Sequence, residues 1–255
     1  MSTDDLLAYL FDGQPHLLVQ PMTGWLAASR RFAAFVTTFQ DKIRKKLRTT
    51  QDQESFLDLR LELETAYLLL QERSLSVVYE PEQSKRIRSP DFAVTFTTSL
   101  TFMLEVTRVQ ADPKNTVVEA QKKLLVAPPP EVMLPKSSIG ARLADTISSK
   151  LGQLLPQRSN ILLVGVEAID PTSQDIRASM LSIRQHAERN DSTFFERHGF
   201  RDRTDFFRQY QRLSEILVRG PHFEMTKSIV TWINPQAKHP LPSKVRTALY
   251  RSHTS

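Results

Sequence analysis

Residues 89–107 read SPDFAVTFTTSLTFMLEVT. Two segments of this stretch alternate apolar and polar residues, which is the period of a half-buried β-strand. One hairpin register places every large apolar side chain on a single face: Phe92 with Leu104, Val94 with Phe102 and Phe96 with Leu100. A slip of one residue would divide these side chains between the two faces, so the sequence predicts this register. It requires an odd loop at residues 97–99, or a bulge.

The same register places two carboxylates side by side on the other face of the hairpin. Asp91 lies directly across from Glu105, and the Cβ atoms of cross-strand neighbours are about 4.5–5.5 Å apart. Two carboxylates at this separation repel each other unless a cation lies between them or one of them takes up a proton. Hard oxygen ligands at this spacing suit Mg²⁺ or Mn²⁺. The hairpin therefore predicts a divalent-metal site at Asp91 and Glu105.

Pro90-Asp91, the strand after it and the triplet Glu105-Val106-Thr107 resemble the PD-(D/E)xK motif of restriction-endonuclease-like nucleases. The resemblance implies that Asp91 and Glu105 bind Mg²⁺ or Mn²⁺ in an endonuclease. In that family, a lysine two residues after the glutamate helps to position and activate the attacking water. Thr107 takes that place here. A hydroxyl group carries no positive charge and cannot replace an ammonium at a developing phosphorane.

The departure at Thr107 leaves two functions open. One is a metal-dependent nuclease that hydrolyses phosphodiester bonds of nucleic acid and takes its lysine from elsewhere in the chain. The alternative is a catalytically silent protein of the nuclease fold, which binds nucleic acid or protein. In a third interpretation, the chain is a structural or interaction protein in which Asp91 begins a strand and Glu105 pairs with a nearby arginine.

The elements around the hairpin are predicted in the order of the same nuclease core. They are a helix at residues 54–72, a strand at 74–79, a helix at 138–155 and an apolar strand at 160–166. Together with the hairpin they give the order αβββαβ. The expected fold class is therefore α/β, with a restriction-endonuclease-like αβββαβ core. Its mixed central sheet is flanked by helices, with extra N- and C-terminal helices.

Further catalytic residues follow from the resemblance. Nucleases of this type often carry an acidic metal-site residue on the helix before the first strand, and Glu62 is the first candidate, with Glu64 the second. In some members the catalytic lysine lies on a neighbouring helix. Lys150 could be such a replacement, assisted by Gln153. Each of these side chains could equally be an ordinary surface residue of its helix.

Positive charge favours an anionic partner. The formal net charge is +6 at pH 7, which favours nucleic acid. Arg108 follows the hairpin and is predicted to contact a phosphate, while Lys122 and Lys123 are further nucleic-acid-binding candidates. DNA is expected as this partner in preference to RNA. Enzymes of this class often dimerise to cut two strands, so a homodimer is also considered.

Outside the core, helical periodicity predicts one long helix at residues 25–48 and further helices at 173–188, 202–217 and 245–250, with a late strand at 227–233. No repeat or linker interrupts the chain, so residues 1–255 are expected to form a single domain. Its parts are an N-terminal helical extension (1–53), the nuclease-like core (54–166) and C-terminal helices with the late strand (167–255).

Composition excludes several other classes of protein. The chain has no cysteine, which excludes thiol catalysis and zinc–thiolate sites and fits a reducing cytoplasm. Its seven glycines form no GxGxxG or Walker-type loop, and its six histidines show no zinc-binding spacing. No apolar run approaches the roughly 18 residues of a membrane span. A cytoplasmic protein without a membrane partner is expected.

Overall fold

The computed structural model describes residues 2–50, 52–81, 89–109, 139–166, 170–220 and 229–254. These residues form one mixed sheet of six strands. The strands are β1 (Leu75–Tyr79), β2 (Phe92–Phe96), β3 (Leu100–Arg108), β4 (Asn160–Gly165), β5 (Leu213–Arg219) and β6 (Ile229–Ile233).

The same residues form ten helices. They are α1 (Thr3–Phe11), α2 (Val19–Ala28), α3 (Arg30–Thr38), α4 (Gln40–Thr49), α5 (Gln53–Leu69), α6 (Ile139–Leu151), α7 (Ser173–Glu188), α8 (Ser192–His198), α9 (Arg203–Tyr210) and α10 (Ser243–Thr254). No helix in the described ranges is long and apolar enough to cross a membrane.

Strands that are neighbours in the chain are also neighbours in the sheet, in the order β1-β2-β3-β4-β5-β6. The pairs β1–β2, β2–β3 and β5–β6 are antiparallel, whereas β3–β4 and β4–β5 are parallel. The predicted α/β class with a mixed sheet is therefore confirmed. Among the described elements, α5 to β4 follow the predicted order of one helix, three strands, one helix and one strand.

The hairpin of β2 and β3 has the predicted register. All three apolar pairs are observed, from Phe92 across from Leu104 to Phe96 across from Leu100. The connecting loop is residues 97–99, and Thr97 has a positive φ of 54°. Phe92 and Leu104 are fully buried. Burial of one face fixes the register, because a slip would expose these side chains.

Two buried clusters cover the two faces of the sheet. The first joins the hairpin's apolar face to α1–α5 and α10. The second joins β4 and β5 to α6–α9. β4 contributes Ile161 and Leu163 to the first cluster and Leu162 and Val164 to the second. It is therefore apolar without interruption, as expected of a strand covered on both faces.

The prediction of one long helix at residues 25–48 is wrong. The chain forms α2, α3 and α4 instead, with breaks at Ser29 and Phe39. Ser29 has an extended backbone, and its Oγ accepts a hydrogen bond from the N–H of Phe32, so it caps α3. The apolar period continues across both breaks because all three helices pack on the same buried cluster.

The prediction of a helix at residues 202–217 is also wrong in its second half. α9 ends at Tyr210, and Leu213–Arg219 is the strand β5, which is buried along its whole length. Leu213, Ile216 and Leu217 have helical spacing, but a strand covered on both faces can show the same spacing. The helix predicted at 245–250 is longer in the structure, where it is α10.

Candidate functional site

Asp91 immediately precedes β2, one step beyond the pair Phe92–Leu104, and therefore continues the register that places it across from Glu105. Its Oδ2 accepts a hydrogen bond of 2.7 Å from the backbone N–H of Val106. Its backbone carbonyl accepts another, of 2.8 Å, from the N–H of Glu80 at the end of β1. Asp91 is thus fixed by the backbone of both neighbouring strands.

Asp91 is buried next to two further carboxylates. Burial, followed by the charges of Glu62 and Glu105, raises the pKa of Asp91 to about 8. The hydrogen bond from Val106 and the charge of Lys46 act in the opposite direction. The structure therefore brings the three predicted carboxylates close enough to influence one another. Without a cation, Asp91 holds a proton at neutral pH.

Glu105 is buried, and its carboxylate binds an ammonium group from α6. The Nζ atom of Lys150 lies 2.9 Å from Oε1 of Glu105. Lys150 belongs to the last turn of α6, and its side chain is 17% exposed. The lysine predicted as a replacement for the motif lysine is thus next to the motif glutamate. Thr107 follows two residues after Glu105 on β3, on the same side of the strand.

Glu62 is buried on α5 and binds a second ammonium group. The Nζ atom of Lys46 on α4 lies 2.6 Å from Oε1 of Glu62 and 2.9 Å from Oε1 of Glu80. Burial raises the pKa of Glu62, although Lys46 opposes this effect. Burial lowers the pKa of Lys46, but Glu62 and Glu80 outweigh burial, so the pKa of Lys46 is raised. Lys46 thus bridges Glu62 and Glu80.

The second α5 candidate, Glu64, lies elsewhere. Its Oε1 is 2.6 Å from Nη2 of Arg219 at the end of β5, and both side chains are buried. Residues two apart on a helix do not face the same way, so only one of the two glutamates can face Asp91. The structure places Glu62 there.

The predicted phosphate-contacting residues have different surroundings. Arg108 is buried, with Nε 3.1 Å from Oδ1 of Asp58 and Nη2 2.5 Å from Oε2 of Glu54. Gln153 lies after α6, and its N–H donates to the carbonyl of Lys150 at 3.0 Å. Lys122 and Lys123 lie outside the described residues. Nucleic-acid contact by these four residues stays a prediction.

The carboxylate oxygens of Asp91, Glu105 and Glu62 are ligands of the kind that a hard divalent cation prefers. In the described ranges, no three acidic, histidine or cysteine side chains converge closely enough to form a metal-ligand group. Mg²⁺ commonly keeps several waters and takes only one or two carboxylates together with substrate phosphates. The pair Asp91 and Glu105 fits this mode of binding, and a cation bound here would displace the proton that the raised pKa of Asp91 retains.

A cavity of about 740 Å³ opens next to the Lys150 side of the carboxylates. Thr107, Arg108 and Lys150 line it, together with His186 and His198 from the α7–α8 side. The carboxylates Asp91, Glu105 and Glu62 are not among the lining residues. Of the predicted site residues that the structure describes, Lys150 and Arg108 border this space.

The sequence does not predict Lys46 as a site residue. It belongs to the basic run Lys42–Arg48, which reads as the solvated end of a helix or as a phosphate-binding patch. The Lys46–Glu62 contact joins two helices across 16 residues, and its formation depends on how α4 packs against α5. The basic run itself is the only signal in the sequence, and it does not single out Lys46.

No family model, curated protein or solved structure matches this chain. The resemblance to PD-(D/E)xK nucleases therefore depends on the residues around Asp91 and Glu105 and on the order of the elements. A functional proposal must come from the chemistry of the site.

Proposed function

We propose that the chain is a metal-dependent nuclease with a restriction-endonuclease-like core, which hydrolyses phosphodiester bonds of nucleic acid. One observation carries the proposal: Asp91 continues the hairpin register across from Glu105, with Glu62 near enough to raise its pKa. These are the places that the motif gives to metal-binding carboxylates. The observed order of α5, β1, β2, β3, α6 and β4 supports the same family.

Asp91 and Glu105 would hold Mg²⁺ or Mn²⁺, with Glu62 in or near its shell. A bound ion of this kind lowers the pKa of a coordinated water and polarises the scissile phosphate. The Val106 N–H keeps the Asp91 carboxylate in position. Lys150, which reaches Glu105 from α6, supplies the positive charge that Thr107 lacks. That ammonium stabilises the negative charge that develops on the phosphate in the transition state.

Nucleic acid is the proposed substrate, and DNA is proposed in preference to RNA. The net charge of +6 favours a polyanion. A homodimer would present two carboxylate sites to the two strands of a nucleic-acid duplex. A cytoplasmic location is part of the same proposal.

Cleavage of mixed DNA and RNA substrates with Mn²⁺ or Mg²⁺ tests the proposal. The wild type is expected to cut, and both Asp91→Ala and Asp91→Asn are expected to lose cleavage and Asp91-dependent Mn²⁺ binding. Asp4→Asn is the matched control, since Asp4 is an exposed carboxylate of α1. Equal Mn²⁺ binding by the wild type and Asp91→Ala would rule out the site.

Thr107 favours the second candidate, a catalytically silent nuclease-fold protein that binds nucleic acid or protein. The motif position carries no ammonium, and Lys46 and Lys150 are already engaged by Glu62 and Glu105. Asp91-dependent Mn²⁺ binding without cleavage of any substrate would support this candidate. Asp91-dependent cleavage would exclude it.

A further inference from the structure

The Lys46 ammonium lies between two carboxylates on the α4 side of the site. It is 2.6 Å from Oε1 of Glu62 and 2.9 Å from Oε1 of Glu80, and it lies 4.9 Å from the centre of the Tyr79 ring. The side chain of Glu62 is 9% exposed and that of Lys46 is 30% exposed. This cation is therefore held by the protein but remains open to solvent on one side.

Backbone contacts fix the position of this ammonium relative to Asp91. Lys42, one helical turn before Lys46, donates to the carbonyls of Tyr79 and Glu80 at 3.3 and 2.7 Å. The N–H of Glu80 donates to the carbonyl of Asp91. α4 is thus joined through the end of β1 to the start of β2. Because of this arrangement, the charge of Lys46 acts on Asp91 as well as on Glu62.

Lys46 and Lys150 approach the carboxylates from opposite faces of the sheet. α4 packs in the buried cluster of the hairpin's apolar face, whereas α6 packs in the cluster of the other face. Each ammonium binds a different predicted metal-site carboxylate, Glu62 and Glu105 respectively.

We propose that Lys46 occupies the cation position at Glu62 in the metal-free protein, and that its ammonium and a divalent ion compete for this carboxylate. The inference rests on the proposed function, because it takes Glu62 as a member of the metal site. Lys46 released from Glu62 has a flexible four-carbon stem and becomes available to a substrate phosphate. It would add a second positive charge opposite Lys150.

A calorimetric titration with Mn²⁺ alone tests the competition on the full chain. An ammonium and a divalent cation at the same carboxylate repel each other. Lys46→Met is therefore expected to bind Mn²⁺ at least about tenfold more tightly than the wild type. Lys45→Met is the matched control, because Lys45 is exposed on the same helix, and its affinity is expected to be unchanged. Lys46→Arg keeps the charge and should resemble the wild type. Adding Glu62→Gln to Lys46→Met should remove the gain.

Single-turnover cleavage provides a second readout. Lys46→Met should cut more slowly than the wild type at saturating Mn²⁺ although it binds the ion more tightly, and Lys46→Arg should recover most of the rate. A merely damaged site would lose both affinity and rate. Should Lys46→Met fail to fold, Lys46→Gln removes the same charge and keeps a hydrogen-bond donor.

Asp91→Ala separates the possible failures. If Mn²⁺ binding depends on Asp91 but is no tighter in Lys46→Met than in the wild type, the competition is overturned and the proposed function is left intact. Binding that appears only when Lys46 is replaced would support the competition. An absence of Mn²⁺ binding in the wild type and in Lys46→Met would overturn both.

Discussion

The Oδ2 atom of Asp91 lies 2.7 Å from the backbone nitrogen of Val106 and accepts its hydrogen bond. This bond joins the start of β2 to β3, one residue beyond Glu105. A backbone donor favours the ionised carboxylate, yet burial and the charges of Glu62 and Glu105 prevail and raise the pKa of Asp91 to about 8. The backbone therefore holds a carboxylate where its charge is unfavourable unless a cation is near.

We expect Asp91→Asn to flatten the dependence of stability on pH. The pKa of aspartate is about 3.9 in an unfolded chain, whereas that of Asp91 is about 8 in the folded protein. The folded state therefore binds this proton more tightly, so the contribution of Asp91 to stability is full below about pH 4 and is lost as the pH rises to about 8. At pH 8 in EDTA, the free energy of unfolding of Asp91→Asn should exceed that of the wild type by at least about 1.4 kcal/mol, the equivalent of one pKa unit.

Urea unfolding at pH 5 and pH 8 measures this difference. Added Mn²⁺ should stabilise the wild type at pH 8 and leave Asp91→Asn unchanged, with Asp4→Asn as the control for the loss of an exposed carboxylate. If the stability of the wild type and of Asp91→Asn depends on pH in the same way, Asp91 is ionised at both pH values.

Lys150→Met should destabilise the fold through Glu105. Glu105 is buried, and Lys150 lies 2.9 Å from it, so the substitution leaves a buried carboxylate without this counter-ion. We expect a loss of up to about 3 kcal/mol in the free energy of unfolding, at the lower end for buried pairs because Lys150 is partly exposed. The double variant Lys150→Met, Glu105→Gln should recover most of the loss in urea unfolding. If the two substitutions have additive effects on the free energy of unfolding, the two groups do not interact.

Thr107→Lys should increase the rate of cleavage. Thr107 lies two residues after Glu105 on the same side of β3 and borders the cavity that Lys150 also lines. A lysine here would restore the ammonium of the motif, so we expect single-turnover cleavage with Mn²⁺ to be at least about tenfold faster, equivalent to a barrier lower by about 1.4 kcal/mol. Thr107→Met is the matched control for size. An unchanged rate on every substrate would mean that another lysine already fills the role or that cleavage is not the function.

Glu62→Gln and Glu64→Gln should have different effects although they are two residues apart. Glu62→Gln is expected to weaken Mn²⁺ binding, because Glu62 acts on Asp91. Glu64→Gln weakens a buried pair with Arg219 and should cost stability, by about 1–3 kcal/mol, while Mn²⁺ affinity stays the same. Calorimetry and urea unfolding of both variants measure the contrast. Loss of Mn²⁺ affinity in Glu64→Gln alone would reverse the assignment.

Local patterns in the sequence were enough for the hairpin. Its alternation and short loop allow a single register that buries Phe92 and Leu104 together, so the position of Asp91 across from Glu105 could be predicted. The pattern was ambiguous at Leu213–Arg219, because a strand covered on both faces has no alternation. The breaks at Ser29 and Phe39 were hidden for a related reason, since all three helices pack against one cluster.

Contacts between distant elements could not be predicted in the same way. Lys150 was a candidate only because the family resemblance suggested a displaced lysine, and its ion pair with Glu105 was not predicted. Lys46 had no such guide, since its approach to Glu62 depends on the packing of α4 on α5. Glu62 and Glu64 were both candidates in the sequence, and only the orientation of α5 distinguishes them.

The attachment of α4 to the end of β1 has a consequence for any attempt to shorten or transplant the protein. Lys42 and Lys46 come from outside residues 54–166, yet they bind Tyr79, Glu80 and Glu62. A fragment that starts at Asp52, the N-cap of α5, would keep all six elements of the αβββαβ order and still lack one wall of the carboxylate site. The smallest transferable unit therefore begins no later than α4, and grafting this site onto another scaffold would require the preceding helix as well as the core.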